Sequence, residues 1–193
     1  ATMVVAPLVF KDNGYDPDRD FRPVSQVSDY EFGVAVSTAV PVKEIGHLLA
    51  WLRANPEQAN FGVPATGSLP HFFALMTGER AQIKAQVVGY RGSGPLLTDL
   101  IGGQIPVAFD TFDTLLPQHE AGKLRILGSS GARRSPFAAG VPTFRESGLD
   151  LVASGWNAFF APASMPAARV ASLGRAIREV MQEQDTRRKF HDA

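Results

Sequence analysis

Residues 61–76 read FGVPATGSLPHFFALM. A short apolar run stops at Pro64, a Thr-Gly-Ser triplet follows, and a helix-like pattern begins at once. The first N–H groups of a helix lack intrahelical partners, and the macrodipole adds partial positive charge there. Glycine lets an anion approach that backbone, and Ser or Thr can cap the helix or donate to a ligand. The stretch thus reads as a strand–turn–helix unit whose turn suits a negatively charged group.

The same unit recurs on the C-terminal side. Strand 60–63 leads to helix 69–78, strand 85–90 to helix 94–102, and strand 105–110 to helix 112–121; strand 124–130 completes the run. Strands alternating with helices indicate βαβ units and a mostly parallel sheet. Upstream, Ile45, Leu48, Leu49 and Leu52 mark one face of a helix over 42–53, closed by Asn55-Pro56. FGVAVS (32–37) and WNAFFAPA (156–163) read as further strands. A last helix begins near Pro166 with Val170, Leu173, Ile177 and Val180 on one face. Residues 1–31, punctuated by NGYDPDRDFRP, read as a connection, and 131–150 as a linker laid over a surface.

The chain has 193 residues with 19 Lys plus Arg against 19 Asp plus Glu. That length suffices to bury a core, and the balanced charge gives no basic stripe for nucleic acid. Its apolar runs fall well short of the roughly 18 residues of a membrane helix. With no Cys, disulfides, thiolate metal sites and a Cys nucleophile are excluded. ATMVVAPLVF lacks the basic start of a signal peptide, but without an initiator Met this decides nothing about compartment.

A second small-residue turn, RGSG (91–94), precedes helix 94–102. In a parallel sheet both turns open onto the edge at the carboxyl ends of the strands, where α/β ligands bind. Ser68 and Ser93 are either plain N-caps or ligand donors. Asp110, ending IPVAFD, is either the N-cap of helix 112–121 or a group that accepts a ligand's hydrogens or holds water. Asp113 reads as a first-turn charge. His71 could face an anion, whereas His47, His119 and His191 show no metal-ligand spacing. A Ser-His-Asp set can be written from Ser93, His71 and Asp110, but no G-x-S-x-G elbow frames a serine. No dinucleotide or P-loop fingerprint is present, so no cofactor is expected.

FGVPATGSLPHFFALMTG, then VVGYRGSGPLLTDLIGGQIPVAFDTFDTLLPQHEAGKLRILGSSGARRSPFAAGVPTFRESG, resemble the substrate-binding receptors of tripartite tricarboxylate transporters, the Bug receptors. The likeness extends to YDPDRDFRPVSQV and to WNAFFAPASMPAARVASLGRAIREVM, nearly the whole chain. It implies a type II periplasmic-binding-protein fold: two α/β lobes with mostly parallel sheets, joined by crossing strands and closing on a small organic anion. The implied function is periplasmic capture of a carboxylate and its delivery to membrane permease subunits, without catalysis. Carried over by motif, Thr66, Gly67 and Ser68 would form one carboxylate-binding turn, Gly92, Ser93 and Gly94 a second, and Asp110 with Thr111 a third. Hinge crossings would fall near 32–37 and 152–158.

The sequence departs from that family at three points. Position 68 is Ser where Thr is common, and position 111 is Thr where Asn is common. Members also carry a signal peptide and further strands, a ligand loop and a helix ahead of the segment matching YDPDRDFRP. The resemblance therefore implies an incomplete first lobe made of 1–37 and 151–193, and a complete second lobe of 38–150. A chain so built is expected either to belong to a longer receptor or to self-associate through 1–10 and 156–163. The rival expectations are a fragment or paralogue that binds nothing, and a serine hydrolase.

Overall fold

The computed structural model describes residues 3–9, 11–12 and 14–186; His191 lies outside them, as do residues 1, 2 and 10 of the expected association surface. The chain divides into two compact units, 1–29 with 156–193 and 30–155.

The larger unit is built on a β-sheet between two helical layers. Two short helices, α1 (Ala6–Val9) and α2 (Pro17–Asp20), precede β1 (Phe21–Ser37). The order continues α3 (Ile45–Ala54), β2 (Asn60–Val63), α4 (Leu69–Ala81), β3 (Gln86–Gly89), α5 (Ser93–Ile101), β4 (Val107–Thr111), α6 (Phe112–Glu120) and β5 (Leu124–Ser129). β6 (Ser154–Pro162) and α7 (Ala167–Gln182) close it. The sheet order is β3-β2-β4-β1-β5, with β6 also paired to β1. β2 pairs parallel with β3 and with β4, and β1 runs antiparallel between β4 and β5. The expected parallel direction therefore holds for β2 to β5, with one opposed strand set among them.

Both faces of this sheet are covered, so its strands read as unbroken apolar runs. Phe32, Val34 and Val36 of β1, Phe61 and Val63 of β2, and Val107 and Phe109 of β4 pack with Ile45, Leu48 and Leu52 of α3 and Phe73 of α4. Ala35, Ala108 and Ile126 face the other way, onto Leu96 and Leu100 of α5 and Phe112 and Leu115 of α6. Phe73 joins this aromatic core at the centre: its ring lies 5.8 Å from Phe109 and 5.0 Å from Phe144, both edge-on.

Three sequence expectations need correction. Residues 1–31 are more than a connection: Asp16 caps α2 by accepting from the Asp18 and Arg19 N–H groups, and β1 begins at Phe21. FGVAVS is only the buried end of that 17-residue strand; its first half is too polar to signal a strand. The segment 131–150 contributes to the core as well as the surface. Phe144 is fully buried, its N–H donates to the Ser129 carbonyl, and Val141 and Thr143 are buried beside it.

In the smaller unit, by contrast, only Ala161 and Gly174 are buried among the described residues. The expected apolar face of α7 exists, but Leu173 and Val180 on it are exposed, as are Trp156 and Phe159 of β6.

Truncating Phe144 to Ala should cost about 3–5 kcal/mol, as for a core aromatic. Urea unfolding followed by near-ultraviolet circular dichroism would read it; a loss below about 1 kcal/mol would return 131–150 to the status of a surface linker.

Candidate functional site

β2, β3 and β4 run side by side in one direction, so the turns that leave them lie along one edge of the sheet. The turns are also tied together. The Tyr90 N–H donates to the Val63 carbonyl, and the Gly92 N–H donates to the Pro64 carbonyl at 2.8 Å. Thr66 packs so closely on Gly89 that a Cβ there would collide with the Thr66 hydroxyl. These contacts join Thr66–Ser68 to Gly92–Gly94, and the Ser93 hydroxyl approaches Asp110 of the third turn, so eight of the nine candidate residues lie along one edge and His71 joins them through α4.

In the first turn Gly67 takes a left-handed φ of 78°, which spares it the steric cost other residues meet. Ser68 is the N-cap of α4 and its hydroxyl oxygen accepts from the His71 N–H at 3.3 Å. The capping reading of Ser68 is therefore real, and its hydrogen remains available to a ligand. His71 turns back on the turn: its Nδ1 accepts the Gly67 N–H at 2.8 Å. That bond occupies the Gly67 donor and fixes Nε2 as the nitrogen carrying hydrogen in the neutral ring.

In the second turn the N-cap is Gly92, with φ 108°, and no side chain caps α5. Ser93 is the first residue of α5, which corrects its reading as a cap. The space around Gly94 is open, with nothing within 4 Å of where a Cβ would stand. Tyr90 anchors this turn, its hydroxyl donating to Asp99 of α5 at 2.9 Å. Burial and that bond push the phenol up to about 12.

In the third turn the N-cap of α6 is Thr111, so Asp110 is not the cap either. Asp110 is only 2 % exposed. Its Oδ1 accepts the Thr111 N–H at 2.8 Å, while Oδ2 is buried with no hydrogen-bond partner. The Ser93 hydroxyl stands close to this carboxyl without making a well-formed bond to Oδ2. Burial raises the Asp110 pKa from its ordinary value, Ser93 and the Thr111 N–H pull against that rise, and the Asp113 charge adds to it.

Three residues at this edge escaped the sequence reading. Gly33 of β1 lies opposite Asp110 on one side and Ser129 on the other, and the Ser129 hydroxyl is also buried and unpartnered. Ser130 receives the Phe32 N–H on its hydroxyl at 2.8 Å and donates to the Ala153 carbonyl. The Ser-Ser doublet closing LRILGSS was the available signal. The other described histidines are committed elsewhere: His47 contacts Glu44 at 3.0 Å and His119 accepts the Ile126 N–H. No cluster of metal-ligating side chains occurs among the described residues.

The raised Asp110 pKa fixes a sign. A carboxyl whose folded pKa exceeds its unfolded value supports folding fully below the unfolded pKa and loses that support as pH rises through the folded value. Asp110→Asn keeps an acceptor for the Thr111 N–H and cannot ionise. Its melting temperature should match wild type near pH 4 and exceed it near pH 8. Equal melting temperatures across that range would show that Asp110 carries no burial penalty.

Comparison with known proteins places this chain in a lineage. A family model described as "Tripartite tricarboxylate transporter family receptor" matches residues 1–193. The chain is 31 % identical over 180 residues to a UPF0065 protein of Bordetella bronchiseptica, covering 93 % of this chain and 53 % of that one. It is 30 % identical over 164 residues to Protein BugT of Bordetella pertussis, covering 84 % and 50 %. It therefore spans about half the length of these curated relatives. Among solved structures, R. palustris Rpa4515 with adipate superposes with a TM-score of 0.88 at 28 % identity, over 96 % of this chain and 62 % of that one. MatC from Rhodopseudomonas palustris with bound malate gives 0.83 at 25 %, over 96 % and 63 %. The periplasmic binding protein BugD, at 22 % identity, TM-score 0.86 and coverages of 97 % and 63 %, shares the fold. The larger unit's sheet, the likeness to these solved structures and the match along the whole sequence agree: the chain belongs to the receptor family of the tripartite tricarboxylate transporters and has the mixed α/β periplasmic-binding-protein fold.

Proposed function

We propose that this chain is the ligand-capturing part of an extracytoplasmic receptor that takes up a small organic carboxylate and passes it to the permease subunits of a tripartite tricarboxylate transporter. One observation carries the reading: the turns leaving β2, β3 and β4 lie along one sheet edge, the first two hydrogen-bonded to each other and the third approached by the Ser93 hydroxyl at Asp110. Helix N-termini and hydroxyls favour a carboxylate there through charge-assisted hydrogen bonds. Thr66, Ser68 and Ser93 supply the hydroxyls, and the first N–H groups of α5, left without a side-chain cap, supply backbone donors. The adipate and malate in two related structures support a dicarboxylate of moderate length.

The rim supports binding rather than turnover. A serine nucleophile needs a base within hydrogen-bond reach, yet His71 Nδ1 is occupied by Gly67, and Ser93 faces a carboxyl instead of an imidazole. Periplasmic residence follows from the transport role. No helix among the described residues is long and apolar enough to cross a membrane.

The exposed aromatics of β6 and the sparse burial in the smaller unit also support the expectation that this surface is covered, by further receptor sequence or by a second copy.

A thermal-shift series with adipate, malate and citrate should raise the melting temperature with at least one of them, while generic esters are not hydrolysed. Ser68→Ala should weaken the responding ligand by on the order of 1.5–3 kcal/mol, the worth of a hydrogen bond to a charged group. Ester turnover that Ser93→Ala abolishes would replace this reading with an enzyme. Unchanged affinity in Ser68→Ala would leave Ser68 as a cap alone.

A further inference from the structure

The geometry points to Asp110 as a proton-uptake site: capture of a carboxylate at the rim draws a proton from solvent onto Asp110 Oδ2. This rests on the carboxylate-receptor reading and adds to it how the site deals with its own negative charge.

A helix N-terminus that receives an anion does not ordinarily carry a buried carboxylate beneath it. Here the side chain next to Ser93, the first residue of α5, is a carboxyl 2 % exposed to solvent with one oxygen unsatisfied. An unpaired buried oxygen of an ionised group is costly, and the usual remedy is an opposing cation or a hydrogen bond. The groups acting on Asp110 are the Ser93 hydroxyl from α5, the Thr111 N–H at the end of β4 and the Asp113 carboxylate from α6. No cation is among them. On the β1 side its partner is Gly33, which brings no side chain at all.

A ligand carboxylate at the same rim adds a second negative charge on the far side of Ser93. Two carboxylates sharing a desolvated site do not both stay ionised; one takes up a proton. The ligand keeps its charge because the uncapped N–H groups of α5 favour it. Asp110 has no such support for Oδ2, so the proton goes there. The same event resolves the hydrogen-bonding mismatch. A protonated Oδ2 becomes a donor, and the nearby Ser93 oxygen can accept from it. The Ser93 hydrogen, no longer drawn toward a carboxylate, then turns to the ligand. The single proton leaves solvent and ends on Oδ2, and no other bond changes.

Isothermal titration of adipate into the protein, repeated in phosphate and in Tris between about pH 6.5 and 8, reads proton uptake from the difference in apparent enthalpy. At these pH values adipate lies above the ordinary carboxylate range and stays ionised. Wild type should take up a measurable fraction of a proton per ligand. Affinity should rise as pH falls, by at most about tenfold per pH unit for one proton. Asp110→Asn should take up none and should bind adipate more tightly than wild type near pH 8. Ser93→Ala, which removes a group pulling the Asp110 pKa down, should take up less than wild type because Asp110 starts more protonated. Adipate binding without proton uptake, or uptake that persists in Asp110→Asn, overturns this inference alone. Asp110→Asn binding more weakly at every pH overturns it too, because Asp110 would then be accepting from the ligand. No binding of adipate, malate or citrate at all overturns both this inference and the receptor reading.

Discussion

Three parallel strands, β3, β2 and β4, hydrogen-bonded in one sheet, fix almost everything else about this protein. Parallel pairing forces each strand to leave by the same edge, and each exit runs straight into a helix. The backbone N–H groups that open those helices are therefore gathered in one place by topology. Local chemistry then tunes each turn differently. One is capped by Ser68 and buttressed by His71, one is left uncapped at Gly92, and one conceals a carboxyl beneath its first N–H.

The antiparallel strand β1 has a separate role in that sheet. It lies between β4 and β5, and both of its faces are buried over Phe32–Ser37. Gly33 stands where any side chain would strike Leu115, leaving room for α6 to pack down on the sheet beside Asp110. The unsatisfied carboxyl lies at the start of α6 and next to Ser93 of α5.

The alternation of strands and helices from Asn60 to Ser129 was legible because each element carries its own local signal: a short apolar run, a small-residue turn, then a helical period. The first half of β1 was not legible. Arg22, Pro23, Gln26 and Asp29 are exposed on it, and its strand state depends on pairing with β6 rather than on its own composition. The burial of Phe144 was hidden for a similar reason, since it comes from a contact with Phe73 far away in sequence within a stretch rich in Gly, Pro and Arg. At the site, residue types and turns could be read directly. Which hydrogen bonds they make could not: the Gly67–His71 bond and the approach of Ser93 to Asp110 depend on side-chain direction and on the register of neighbouring strands.

Backbone amide shifts during titration with adipate and with malate test most directly whether one rim of joined turns binds the ligand. The largest changes should fall in the three turns, at Thr66–Ser68, Gly92–Gly94 and Asp110–Thr111. Changes centred on α7 and β6, or spread evenly without reaching the three turns, would contradict it.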